Sequence, residues 1–91
     1  MKIRWTQEAA TNLEQIGLYI AEQNVDAAFK AINTIYERIE NLRQFPSRGR
    51  VGREAGTREL VLSPLPYIVA YRIAESSLEI LHIWHGAQLR R

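Results

Sequence analysis

Ala28, Ile32, Ile35, Ile39 and Leu42 recur at intervals of four, three, four and three residues, a period that an α-helix gathers onto one face. A helix with so continuous an apolar stripe must lay it against other apolar surface to be stable. Upstream, Ala9, Leu13, Ile16 and Ile20 form a second stripe of the same kind, running to about Gln23. Only Asn24-Val25-Asp26 separates the two, and so short a link favours an antiparallel helical hairpin. Thr6 is placed to cap the first helix and Asp26 the second, each offering a side-chain oxygen to the free amides of the next turn. Glu8 adds negative charge at the positive helix end. Gly17 costs the first helix roughly 1 kcal/mol relative to alanine, so it is read as a point of close packing. Pro46 ends the second helix, because the residue before a proline is pushed out of helical geometry.

The surface that covers this hairpin is supplied by strands. Lys2 to Trp5 alternates, with Ile3 and Trp5 on one side, as a short strand would. After a loop from Ser47 to Gly56, three further strands are expected over Thr57–Leu62, Tyr67–Ile73 and Leu78–Trp84. Ser63-Pro64-Leu65-Pro66 and Ala74 to Ser77 are the turns between them, which makes an antiparallel meander. In the middle strand Tyr67, Val69, Tyr71 and Ile73 share a face. The order is β-α-α-β-β-β and the class α+β, a helical hairpin packed on one face of a small, mostly antiparallel sheet. The chain, residues 1–91, reads as one domain without internal repeat, linker or low-complexity segment.

Composition narrows the function. Hydrophobic residues make up 46 % of the chain, as in ordinary globular proteins. Cysteine is absent, which excludes disulfides, thiol catalysis and thiolate metal ligation, with the cytosol as default compartment. No long apolar run follows Met1-Lys2-Ile3-Arg4-Trp5, so neither a signal peptide nor a membrane anchor is expected. A chain of this size buries only about 60–65 % of its unfolded surface, and a tightly bound partner protein would add to its modest stability. Net charge is only +2, but four arginines (Arg48, Arg50, Arg53, Arg58) stand against two acids between Phe45 and Leu60. That end of the molecule is expected to be cationic.

Each candidate site has a plain alternative. His82 and His85, three apart on a strand, fall on opposite faces and make poor joint metal ligands. His82 is expected to share a face with Leu78, Ile80 and Trp84 and to be structural. His85, where the last strand ends, has the intrinsic pKa of a general acid or base; as an end-of-strand residue bonded to a backbone carbonyl it is equally ordinary. The arginine loop could fork phosphate oxygens, or simply be a charged surface loop with Arg58 and Glu59 paired across strands. Arg72 lies opposite the Tyr67, Val69, Tyr71 face; with those residues against the helices it would stand on the open face with Arg58 beside it. Strand-central arginines also serve solubility or edge protection. Trp5 and Trp84 suit core or partner-facing positions. There is no P-loop, GxGxxG or GxSxG motif, so no cofactor, nucleotide or metal is implied.

From Trp5 to Gln88 the chain resembles the toxins of the RelE/ParE superfamily, most closely the ParE-like branch. The matching pieces are Trp5-Thr6 with Ala9-Ala10 and Leu13, Phe45-Pro46 with Gly49-Arg50, Thr57-Arg58-Glu59-Leu60, Pro66-Tyr67-Ile68-Val69 with Tyr71-Arg72, and Ile80-Leu81 with His85-Gly86. The resemblance implies the toxin of a type II toxin–antitoxin pair. A cognate antitoxin would wrap it with a helix and an extended segment, and operator DNA would be met only through that antitoxin. ParE-like members poison DNA gyrase without catalytic residues. RelE-like members cut mRNA on the ribosome; on that pattern Arg50, Arg58, Arg72 and His85 would form the site, stabilising charge as the RNA 2′-hydroxyl attacks. Weak basicity, only two lysines (Lys2 and Lys30) and no tyrosine after Tyr71 favour the gyrase branch.

Overall fold

The computed structural model describes residues 1–87, so Gln88 and the rest of the polar tail lie outside the described residues. β1 (Lys2–Trp5) precedes α1 (Gln7–Ala21) and α2 (Val25–Glu40), which runs into a 3-10 turn (Asn41–Arg43). Then come β2 (Arg50–Val51), β3 (Arg58–Val61), β4 (Tyr67–Ile73) and β5 (Ser77–His85). The strands make one sheet in the order β1-β5-β4-β3-β2. Neighbours from β2 to β5 are antiparallel, and β1 runs parallel to β5. The α+β arrangement expected from the sequence is the one observed.

Thr6 caps α1 as expected, its hydroxyl oxygen accepting the Ala9 amide at 3.1 Å. The cap of α2 is Asn24 rather than Asp26: Asn24 Oδ1 accepts the Ala27 amide at 2.9 Å, and Asp26 falls within the first turn. Both residue types cap well, and the one standing where the backbone is still extended takes the role. α2 stops at Glu40, well before Pro46, but the 3-10 turn carries the stripe on to a fully buried Leu42. Gly17 is the close contact between the helices: a Cβ there would lie 3.3 Å from Ile32 Cδ1.

The core lies between the hairpin and one sheet face. Leu13, Ile35, Ile39 and Leu42 meet Leu60, Val69, Tyr71, Leu78, Ile80 and Ile83. Burying each such aliphatic side chain is worth about 1.5–3 kcal/mol. β2 falls in the segment expected to be loop. Two residues cannot display an alternation, and its ladder exists because β3 offers an edge, with Arg50 opposite Glu59 and Val51 opposite Arg58.

β5 departs from simple alternation. Tyr71 is opposite Ile80, but Ala70 is opposite His82, which leaves Leu81 as an extra residue. Such a bulge inverts the faces beyond it. Leu78, Ile80, Ile83 and His85 therefore pair with Ile73, Tyr71, Val69 and Tyr67 on the helix side. His82 and Trp84 pair with Ala70 and Ile68 on the far face. The expectation that His82 shares a face with Leu78 and Ile80 is thus corrected, because period two holds only along an unbroken ladder. α1 holds the bulge: the Thr6 hydroxyl donates to the Leu81 carbonyl at 2.8 Å, and the Ile83 amide donates to Asn12 Oδ1 at 2.9 Å.

Candidate functional site

The four residues singled out in the sequence stand on two faces of the sheet. Arg50 (β2) and Arg72 (β4) lie on the far face, each across from an acid. The Arg50 guanidinium donates to Glu59 Oε1 at 3.0 Å, and Arg72 Nε donates to Glu79 Oε1 at 3.0 Å. Arg58 (β3) is opposite Tyr71 and so on the helix side, not beside Arg72. Its Nη1 donates to the Gly49 carbonyl at 2.8 Å and the Ser47 carbonyl at 3.3 Å. The face inference failed because it took Arg58 and Arg72 as equivalent positions, whereas the register sets Arg58 against Tyr71. Nor does Arg58 pair with Glu59, whose ion-pair partner is Arg50.

His85 sits at the end of β5 with its ring edge-on to Tyr67, centroids 5.6 Å apart. Its Nδ1 accepts the Ala87 amide at 3.0 Å, a bond to a backbone amide where a carbonyl was the alternative. His85 pairs with Tyr67 at one end of β4 and Arg58 with Tyr71 four residues along that strand. Arg58 and His85 thus share a face without adjoining.

Electrostatics on the far face are dominated by local pairing. Burial pushes the Glu59 carboxyl up, but the Arg53 amide, the Arg50 guanidinium and the charges of both arginines outweigh it and hold the group below its ordinary value. His82 lies 3.4 Å from Glu8 and edge-on to Trp84. No group of three or more potential metal ligands converges among the described residues. Among the described residues no helix is long and apolar enough to cross a membrane.

Two openings escaped the sequence reading. One is an apolar groove of about 410 Å³ between the outer flanks of α1 and α2, lined by Leu18, Val25, Phe29, Ile32 and Tyr36 among others. Phe29 and Leu18 are 66 % and 63 % exposed. The signal for it was available: both residues lie off the buried stripes, and large apolar side chains on a helix's outer flank mark an interaction surface. The other is a cleft between α1 and the ends of β4 and β5, where Tyr19, Tyr67 and His85 meet. No local pattern announces it, since it depends on the bulge.

A helical hairpin laid on a five-stranded sheet, with an apolar groove on its outer flank and Arg50, Arg58 and Arg72 each bonded locally, defines a small α+β class of protein. Comparison with known proteins specifies it further. The family described as ParE toxin of type II toxin-antitoxin system, parDE, matches residues 3–90, and the chain belongs to that family. The Y4kP protein of Sinorhizobium fredii is 42 % identical over 87 residues, 96 % of this chain and 90 % of that one. Toxin RelE2 of Caulobacter vibrioides is 33 % identical over 88 residues, covering 97 % and 98 % of the two chains. A solved chromosomal ParDE system from P. aeruginosa superimposes with a TM-score of 0.84 at 30 % identity, covering 93 % of this chain and 95 % of that chain. The chain is therefore the toxin of a type II toxin–antitoxin system, and its partner is an antitoxin.

Proposed function

We propose that this toxin acts in the cytoplasm by binding DNA gyrase and so stopping replication, without chemistry of its own. The observation that carries this reading is the disposition of its cations. Arg50 and Arg72 are neutralised by Glu59 and Glu79, Arg58 is tied to loop carbonyls, and the far face and the helix side divide the four candidate groups. Stabilising a phosphorane-like charge needs donors converging on one point, and this arrangement favours a binding surface instead. The antitoxin helix is assigned to the groove between α1 and α2, where an amphipathic helix would bury Phe29 and Leu18.

Pulse-labelling in the first minutes after induction of the toxin alone tests the target. Early loss of DNA synthesis with continuing translation is expected; early collapse of translation would sink the gyrase reading. Kinship with a chain named RelE2 favours a second reading, ribosome-dependent mRNA cleavage. In it Arg50, Arg58, Arg72 and His85 would be the residues to mutate. His85→Ala and Arg72→Ala variants that fold and remain fully toxic would end that alternative.

A further inference from the structure

The cleft between α1 and the strand ends, about 470 Å³, has a composition unlike the rest of the surface. Asn12, Gln15 and Tyr19 line it from α1, and Tyr67, Trp84 and His85 from the sheet. No Asp, Glu, Lys or Arg is among the described residues that line it. Tyr67 is only 6 % exposed, yet no described residue hydrogen-bonds its hydroxyl, whereas the Tyr71 hydroxyl is bonded twice. No sealed side-chain oxygen among the described residues lacks a partner, so the Tyr67 hydroxyl meets solvent, and the cleft is the opening it lines. Burial, and secondarily Tyr19, disfavour its ionisation, which places both phenols at the same mouth. A buried phenol with an available hydroxyl, flanked by two amides and further rings, is a group waiting for a polar partner.

We propose that this cleft docks an extended, uncharged segment of the toxin's protein target. The rings of Tyr19 and Tyr67 would flank the segment, and the Tyr67 hydroxyl and Gln15 amide would bond its backbone. This rests on the gyrase reading and deepens it by naming the contact surface. Aromatic-lined grooves with a few fixed polar groups are how extended segments are received. A nucleic-acid strand is held by lysine or arginine against its phosphates, and neither is among the described residues that line the cleft. A charged peptide side chain would lose water there without a counter-charge. The cleft and the α1–α2 groove share no lining residue; they use opposite flanks of α1, so the assignment of the groove to the antitoxin leaves the cleft to the target.

Purified DNA gyrase is the probe, with supercoiling as readout, comparing the wild-type toxin with Tyr67→Phe and Gln15→Lys. Gln15 is exposed on α1 and lysine is a good helix former, and Tyr67→Phe removes only an oxygen. Inhibition should weaken by about 3–10-fold in Tyr67→Phe, as for one neutral hydrogen bond, and more in Gln15→Lys, with antitoxin binding unchanged in both. Wild-type inhibition matched by both variants overturns the cleft and leaves the gyrase reading standing. Loss of antitoxin binding in the variants overturns it by assigning the cleft to the antitoxin. Gyrase unaffected by the wild type removes the gyrase reading alone; the cleft is then judged by growth arrest. Variants that arrest growth like the wild type overturn it, as does wild-type toxin that cross-links single-stranded RNA through position 19. Loss of arrest without RNA cross-linking upholds a protein occupant.

Discussion

The Tyr71 hydroxyl accepts the Gly49 amide at 2.9 Å and donates to the Pro46 carbonyl at 2.7 Å, so one phenol fastens the loop after the helices to the middle of the sheet. The fit is tight: a Cβ on Gly49 would lie 2.7 Å from the Tyr71 ring. Arg58 adds its bonds to the Ser47 and Gly49 carbonyls. The arginine-rich loop is thus a strap tied down at its start. Its arginines act first as fasteners.

Tyr71→Phe should cost about 2–3 kcal/mol, since it leaves the buried Gly49 amide and the half-buried Pro46 carbonyl without their partner. Tyr67→Phe, which breaks no hydrogen bond within the described residues, should stay within about 0.5 kcal/mol of the wild type. Denaturant unfolding of the two variants side by side checks the contrast, and equal losses would refute it. Gly49→Ala should cost about 1–3 kcal/mol by forcing the phenol aside.

Glu59 should make the protein sensitive to acid. Its side chain is 13 % exposed and accepts the Arg50 guanidinium at 3.0 Å and the Arg53 amide at 3.2 Å. Its folded pKa lies below the ordinary carboxylate value, so the unfolded chain binds a proton more readily. The stabilisation is therefore present above the ordinary carboxylate range and is lost as pH falls through the folded value. Glu59→Gln should be less stable than wild type by about 1–2 kcal/mol at pH 7, with the difference closing toward pH 3. Unfolding curves from pH 7 to 3 measure both; a constant gap across that range would contradict the assignment.

The helices and the β4 strand were legible because burial imposes a period. Ala28, Ile32, Ile35 and Ile39 could only be a helix stripe, and Tyr67, Val69 and Tyr71 could only be one sheet face. What escaped depends on contacts distant in sequence. Leu81 carries no mark of a bulge; it becomes one because Thr6 and Asn12, more than sixty residues earlier in the chain, bond the Leu81 carbonyl and the Ile83 amide. The faces of His82 and Trp84 follow from that. β2 is invisible for a related reason, being a strand only by virtue of the edge β3 presents. Of the candidate residues, the far-face position of Arg72 was readable from alternation with Tyr71, while the place of Arg58 required the β3–β4 register.

Asn12 tests the origin of the bulge. Asn12→Ala removes the acceptor of the Ile83 amide and should cost about 1–2 kcal/mol, whereas Asn12→Asp keeps an acceptor oxygen in place. The expected signature is local: the Ile83 amide should exchange faster with solvent in the alanine variant, and the ring contact between Tyr67 and His85 should weaken. Hydrogen exchange and nuclear Overhauser contacts read these directly. Unchanged protection of Ile83 in Asn12→Ala would show that the strand holds its bulge without α1.

The outer groove separates neutralisation from folding. Phe29 and Leu18 are mostly exposed and belong to no buried cluster, so Phe29→Asp and Leu18→Asp should change stability by no more than about 0.5 kcal/mol. An aspartate in an apolar groove, however, confronts a docking helix with an unpaired charge. Loss of a central anchor of this kind is worth about 2 kcal/mol or more, roughly a 30-fold fall in affinity. Calorimetric titration with the antitoxin should show that loss, and cells carrying both proteins should stop growing because the toxin escapes its partner. A variant still bound and neutralised like the wild type would move the antitoxin off this groove, and the β1 edge with the Trp5–Tyr36 ring pair beside it would be the surface to test next.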